Sequence, residues 1–214
     1  MMVMATTATT APTTSIASVV LEVPDPEAAH RFYTAFGVDT HIRLRASEAH
    51  SAGFRGFTLA LTVSRPATVD SFLRAGVNAG ATTLKPAEKS LWGYGGVLQA
   101  PDGTVWKIAT SAKKDTGPAT REIDEIVLLL GVEDVKASFG GKYAEFASGV
   151  SSPVKLALYK RRGLAKDLGV PAYGTGSHRI VLGSTAGSFT DPDGFVWETA
   201  TSLTPAPSTA SAQS

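Results

Sequence analysis

Two segments of this sequence combine residue types that suit small-molecule binding. The first, Trp92-Gly-Tyr-Gly-Gly96, interleaves two aromatic residues with three glycines. Aromatic rings offer apolar contact to a planar ligand, and glycines leave the backbone mobile. The segment is therefore interpreted either as an aromatic wall over a cleft, with Trp92 and Tyr94 as ligand-binding residues, or as a turn that carries two core aromatics.

The second segment, Lys155 to Lys166, contains five cations, among them Lys160-Arg161-Arg162. Such a cluster could clamp an anionic substrate or a phosphate. Charge runs are more often solvated, however, and the pattern favours a solvated turn followed by a short helix that ends at Gly169.

The composition excludes several classes of protein. The chain contains no cysteine, which rules out disulfides, thiolate metal sites and cysteine nucleophiles and fits a cytoplasmic location. The 20 Lys and Arg residues nearly balance the 19 Asp and Glu residues, so neither nucleic acid nor a membrane is expected as a partner. No dinucleotide-binding glycine motif, Walker loop or serine nucleophile elbow is present.

An internal repeat organises the chain. Pro101–Ser111 and Pro192–Ser202 are identical at eight of eleven positions, at an offset of 192 − 101 = 91 residues. Ile16–Leu21 matches Ile123–Leu128 at an offset of 123 − 16 = 107, so the second copy is shorter by 107 − 91 = 16 residues. We predict disordered tails over 1–15 and 203–214, a first domain over 16–111, a linker over 112–121 and a shortened second domain over 122–202.

Helix signals differ between the two copies. In the first copy, Asp25 can cap a helix over about 26–36, and apolar spacing predicts a second helix over about 67–79. In the second copy the first helix is clipped before a strand over about 142–146. No counterpart of the second helix is expected between Ser177 and Phe189.

These motifs resemble the vicinal oxygen chelate superfamily, which includes glyoxalase I, extradiol dioxygenases, fosfomycin-modifying enzymes and bleomycin resistance proteins. The resemblance is carried by Val23-Pro24-Asp25, Phe32–Gly37, Trp92–Gly96 and the two Pro-Asp-Gly strands. It implies an α+β fold of tandem βαβββ modules, with mixed sheets curled around a cleft and the copies related by a pseudo-twofold axis. In the enzymes of the superfamily, His and Glu side chains on first and last strands hold a divalent metal in that cleft.

The resemblance also assigns the ligand positions. In the first copy they fall on Ser18, near Thr58 and on Lys107, which cannot form a metal site of the family type. In the second copy they fall on Glu125, on His178 or Arg179, and on Glu198. One strand register would place Glu125, His178 and Glu198 around a metal, whereas a shift by one residue would place Arg179 there as a ligand-binding cation.

Three functions follow as hypotheses. The first is a protein that binds a small organic molecule in its cleft without the full metal triad. The alternative is a metal-dependent lyase or dioxygenase with its site in the second copy. The third is a metal-free enzyme with Glu125 or Glu198 as catalytic base. In each case Glu198 is predicted to point inward with Glu125 across from it, and the trimmed face of the second copy would allow a homodimer. The sequence leaves a divalent metal open but does not favour one, because the usual first-strand histidine is missing.

Overall fold

The computed structural model describes residues 16–134, 143–146, 154–184 and 187–200, with the backbone alone for 143–146. Both predicted tails lie outside the described residues, as does the segment 135–142, where the clipped helix of the second copy was expected. Among the described residues, no helix is both long enough and apolar enough to cross a bilayer.

The described elements are three α-helices, one short 3-10 turn over Asp39–His41 and fourteen strands. The helices are α1 (Pro26–Phe36), α2 (Pro66–Asn78) and α3 (Arg161–Leu168). The strands of the first half are β1 (Ile16–Val23), β2 (Arg43–Ala46), β3 (Ser51–Ala52), β4 (Phe57–Thr62), β5 (Thr82–Ser90), β6 (Gly93–Gln99) and β7 (Val105–Thr110). Those of the second half are β8 (Glu125–Val132), β9 (Tyr143–Phe146), β10 (Lys155–Lys160), β11 (Thr175–Gly176), β12 (Ile180–Ser184), β13 (Phe189–Thr190) and β14 (Val196–Thr199).

Both predicted helices of the first copy are confirmed. The Asp25 carboxylate accepts a hydrogen bond of 2.9 Å from the Ala28 amide, and α1 ends at Gly37, whose φ of 89° suits glycine. The second helix, α2, lies within one residue of its expected bounds. The described residues between Ser177 and Phe189 contain no helix, also as predicted.

The larger sheet has seven strands in the order β5-β6-β7-β4-β8-β10-β9. Its first four strands, together with α2, form a complete βαβββ unit in which β4 and β7 are parallel. The strands β8, β9 and β10 form a second unit of the same order, with β8 and β10 parallel.

The smaller sheet has five strands in the order β13-β14-β12-β1-β2. The first strand of each unit in this sheet is parallel to the last strand of that unit, as shown by β1 with β2 and β12 with β14. The repeated strands β7 and β14 therefore hold equivalent places in the two sheets.

Each sheet combines strands from both halves of the chain. The strand β1 pairs antiparallel with β12, and β4 pairs antiparallel with β8. The mixed α+β architecture agrees with the predicted fold class, whereas the domain boundaries on either side of 112–121 stay a prediction.

A single main core lies between the inner faces of the two sheets and the helices α1 and α2. Phe36 lies at its centre, with its ring 5.4 Å from that of Trp106 and 6.0 Å from that of Phe72. Trp106 and Trp197 are both buried there, which confirms that these repeated aromatics pack in the core.

The pairing of β1 with β12, which joins strands from the two halves of the chain, can be tested with a disulfide. Val20 and Val181 are direct partners across β1 and β12, at a separation that suits a disulfide. Because the chain has no cysteine, Val20→Cys combined with Val181→Cys should give an oxidised monomer that is lighter by about 2 Da by mass spectrometry.

The matched control pairs Val20→Cys with Val196→Cys. Val196 is the partner of Val181 on the next strand, so it lies roughly 10 Å from Val20, too far for a disulfide. A disulfide in the control but not in the test pair would contradict the pairing of β1 with β12.

Candidate functional site

The outer face of the seven-stranded sheet, which points away from the main core, is partly covered by α3. Strand alternation creates this face: Ile126 and Leu128 of β8 point into the main core, whereas Val127 and Leu129 point outward. Leu164 and Leu168 of α3 are fully buried against the outer face. The residues of this small core are Phe54, Val97, Val105, Leu129, Ala157, Leu164, Ala165 and Leu168.

The cationic segment Lys155–Lys166 contains β10 and most of α3. The predicted short helix is confirmed, since α3 ends at Gly169, whose φ is 75°. The predicted turn before it is wrong, because Lys155–Lys160 forms the strand β10. Leu156 and Leu158 of that strand point into the main core, and their burial outweighs the solvation of the flanking charges.

Two cavities lie on this outer face, and the end of α3 lines one of them. The central cavity has a volume of about 280 Å³ and is lined by Ala60, Leu61, Thr62, Lys107, Ala109, Glu125, Val127, Leu129 and Tyr159. The hairpin cavity, of about 220 Å³, lies beside β5 and β6 and contains Trp92 and Tyr94. Both cavities are lined by Lys107 and Ala109, so they meet at the middle of β7.

An ion pair lies where the two cavities meet. The Lys107 ammonium lies 2.5 Å from the Asp167 carboxylate near the end of α3. The Lys85 ammonium donates to the backbone carbonyls of Lys166, at 3.2 Å, and of Asp167. Lysines therefore face the carboxyl end of the helix, where the helix dipole is negative.

Glu125 lies on the outer face of the seven-stranded sheet at the edge of the central cavity. Its carboxylate forms an ion pair with Lys155 on the neighbouring strand β10. The two side chains are 31% and 37% exposed, so the pair is accessible to solvent.

Glu198 lies in the other sheet, in a different network. Arg45 donates to both oxygens of Glu198, at 2.9 and 3.2 Å, and to Glu22 at 2.8 Å. The hydrogen bonds to Glu22 and then to Glu198 raise the pKa of the Arg45 guanidinium above its ordinary value. One guanidinium thus neutralises part of the charge of two carboxylates on the outer face of the five-stranded sheet.

The expectation that Glu125 lies across from Glu198 is therefore wrong. The strand β8 extends the seven-stranded sheet through its pairing with β4, whereas β14 joins the five-stranded sheet through β12. The first and last strands of the second copy are thereby separated. Glu125 instead faces Lys155 on the neighbouring strand β10, and Glu198 faces Arg45 on β2, three strands away in the five-stranded sheet.

His178 and Arg179 do not join Glu198 in either of the predicted registers, because β12 begins only at Ile180. Both ring nitrogens of His178 face backbone carbonyl oxygens, of Arg55 and Asp193, and its ring stacks on Phe195 at 4.2 Å. Neither nitrogen has room for a metal.

Arg179 is buried, with 9% of its surface exposed, and has a φ of 53°. Its guanidinium donates to the carbonyls of Ser47, at 3.1 Å, and Ala49. These contacts hold the loop that follows β2. Arg179, which the sequence predicts as a ligand-binding residue, lines neither the central cavity nor the hairpin cavity.

A family-type metal does not fit the residues at these positions. Within the described ranges, no group of three or more His, Asp and Glu side chains is placed to hold a metal ion. In the five-stranded sheet the guanidinium of Arg45 lies between the two carboxylates, and its positive charge would repel a divalent cation. In the seven-stranded sheet Lys155 and Lys107 have the same effect.

The two aromatic residues of the segment Trp92–Gly96 lie in different environments, one at the surface and one against the core. Trp92 lies in the turn between β5 and β6 with 85% of its surface exposed, so it is not a core residue. Tyr94 packs against the main core and donates to the Asp70 carboxylate at 2.8 Å. Burial, followed by this hydrogen bond, raises the pKa of Tyr94 to about 12. A ligand-binding role for either residue stays a prediction.

Sequence reasoning misses three residues of these sites: Glu22, Arg45 and Asp167. Glu22 could have been found, because it alternates with the core residues Leu21 and Val23 on β1. Nothing in the sequence marks Arg45 as a site residue, because it lies outside both repeated segments. Asp167 directly follows the cationic segment Lys155–Lys166, for which the pattern favours a solvated turn and helix.

The contacts of Arg45 predict different coupling free energies with Glu22 and with Glu198. Double-mutant cycles that combine Arg45→Met with Glu22→Gln or with Glu198→Gln should each show favourable coupling in urea unfolding, of roughly 0.2–1 kcal/mol for the exposed pair. The coupling with Glu22 should be the larger, because its side chain is 17% exposed against 47% for Glu198. Zero coupling in both cycles, or the reverse order, would contradict the network.

Comparisons with known proteins identify the fold. No protein-family model and no curated protein matches the sequence. Among solved structures, glyoxalase I from Zea mays covers 86% of this chain and 91% of its own, with a TM-score of 0.50 at 14% identity. A point mutant of the same enzyme gives a TM-score of 0.51 over 86% of this chain and 92% of its own, also at 14% identity.

A glyoxalase/bleomycin resistance protein/dioxygenase family enzyme from Burkholderia phytofirmans PsJN covers 45% of this chain and 98% of its own, with a TM-score of 0.39 at 20% identity. The Burkholderia protein aligns with less than half of this chain, whereas the maize enzyme aligns along most of both chains. This chain has the fold of glyoxalase I.

Proposed function

We propose that this protein binds a small organic molecule on the outer face of the seven-stranded sheet, without a metal ion. One observation carries the proposal. The two cavities meet at Lys107 over a floor of small and apolar side chains, and the carboxylates of Glu125 and Asp167 already have protein cations as partners.

The lining suits an organic ligand. Ala60, Ala109, Val127 and Leu129 provide apolar surface, and Thr62 and Lys107 provide polar groups. Ligand pockets combine these features, at volumes of roughly 300–1,000 Å³. The central cavity alone is slightly smaller than that range, and joining it to the hairpin cavity reaches it.

A catalytic base at Glu125 has less support. Such a base works in an apolar, desolvated site, where its carboxylate is free to accept a proton. The Glu125 side chain is 31% exposed and Lys155 holds it. A metal-dependent lyase or dioxygenase has less support still, since the ligand positions carry arginine and lysine contacts.

Filling the floor of the joined cavities should weaken binding. We expect 2-naphthoate, a planar probe of suitable size, to bind the wild type in calorimetry in the presence of EDTA. Ala109→Leu should weaken it at least about tenfold, because the added methyl groups occupy the floor of both cavities. The control is Ala46→Leu, at an exposed alanine on β2 of the other sheet. Equal binding by both variants would contradict the location of the site.

Metal independence is checked separately by melting. Mn²⁺, Ni²⁺ and Zn²⁺ should leave the melting temperature of the wild type unchanged, because no described ligand cluster can bind them. A rise in the wild type that is lost in Glu198→Gln would instead support the metal-dependent enzyme.

A further inference from the structure

We propose that the natural ligand is a planar organic carboxylate, and that its carboxylate takes the place of the Asp167 side chain on Lys107. This inference rests on the proposed function and specifies the chemical class of the ligand. In the absence of ligand, the Asp167 carboxylate at the end of α3 occupies the position that the ligand carboxylate would take.

Lys107 is the group around which the site is built. It lies on β7, the strand at which the two cavities meet, and it lines both of them. Its neighbours in the sheet are Ala60 on one side and Val97 on the other. An ammonium among small apolar side chains binds an anion more strongly than it would in open water.

The Asp167 carboxylate already shows how an anion binds there. It approaches the Lys107 ammonium at 2.5 Å from the last turn of α3, where the helix dipole disfavours a negative charge. The two side chains are 31% and 47% exposed, and ion pairs this accessible are weak. A ligand carboxylate that also buries apolar surface would therefore displace Asp167.

The space beside Lys107 suits a flat body. Gly95 and Ala109 are direct partners on β6 and β7, so the floor next to the lysine has almost no side-chain height. The exposed ring of Trp92 lies at the same hairpin cavity, where it can stack on a planar ligand. Leu91 beside it is 76% exposed, which adds uncovered apolar surface at the turn.

The turn that carries Trp92 is fixed by backbone packing. Gly93 has a φ of 138°, and a Cβ at that position would lie 1.9 Å from the Thr110 carbonyl oxygen. Only glycine fits there. This close approach of Gly93 to the end of β7 fixes the turn and keeps Trp92 at the hairpin cavity.

The test compares 2-naphthoate with its uncharged analogue 2-naphthalenemethanol by calorimetry. We expect the wild type to bind the carboxylate about tenfold more tightly than the alcohol. Lys107→Met should remove that difference, whereas Lys89→Met, at an exposed lysine on β5 outside both cavities, should preserve it. Asp167→Asn should raise the affinity for the carboxylate several-fold and leave that for the alcohol unchanged, because the competing anion is gone.

The outcomes separate this inference from the proposed function. If the wild type binds both probes equally and Lys107→Met changes neither, the carboxylate assignment is wrong while small-molecule binding stands. If neither probe binds the wild type, the proposed function itself fails. Melting curves of each variant show whether it is folded, and Trp92→Ala should weaken both probes alike.

Discussion

The antiparallel pairing of first strands from opposite halves of the chain governs the arrangement of this protein. Because β1 joins β12 and β4 joins β8, neither half forms a sheet of its own. The inner faces of both sheets then share one main core with α1 and α2. The outer faces are left to carry polar groups, and each of them receives side chains from both halves. A site on either face is thus a joint product of two distant parts of the sequence.

Charge pairing on these outer faces follows from that arrangement. A carboxylate keeps its charge more readily when a cation lies beside it. Arg45 provides it in the five-stranded sheet, and Lys155 and Lys107 provide it in the seven-stranded sheet. Protein cations thus pair with Glu125 and Glu198, the two carboxylates at which the resemblance implied a metal. This pairing supports the proposed binding of an organic anion over metal-assisted catalysis.

The sequence could predict what depends on local signals. The cap at Asp25, the apolar spacing of both helices and the repeated Pro-Asp-Gly strands all indicate elements that the structure contains. It could not predict the partners of Glu125 and Glu198, because nothing local states which strands from the two halves become neighbours. The strand β10 was missed for a related reason, since its charged ends concealed the two core leucines, Leu156 and Leu158, between them.

Hydrogen exchange followed by mass spectrometry, with and without 2-naphthoate, tests the central claim most directly. Binding on the outer face of the seven-stranded sheet should slow exchange in peptides from β6, from β7 and from the end of α3. Peptides from β1, β2 and β14, which surround Arg45, should exchange as before. Protection confined to those three strands, with none at β7, would place the ligand on the wrong sheet and contradict the account.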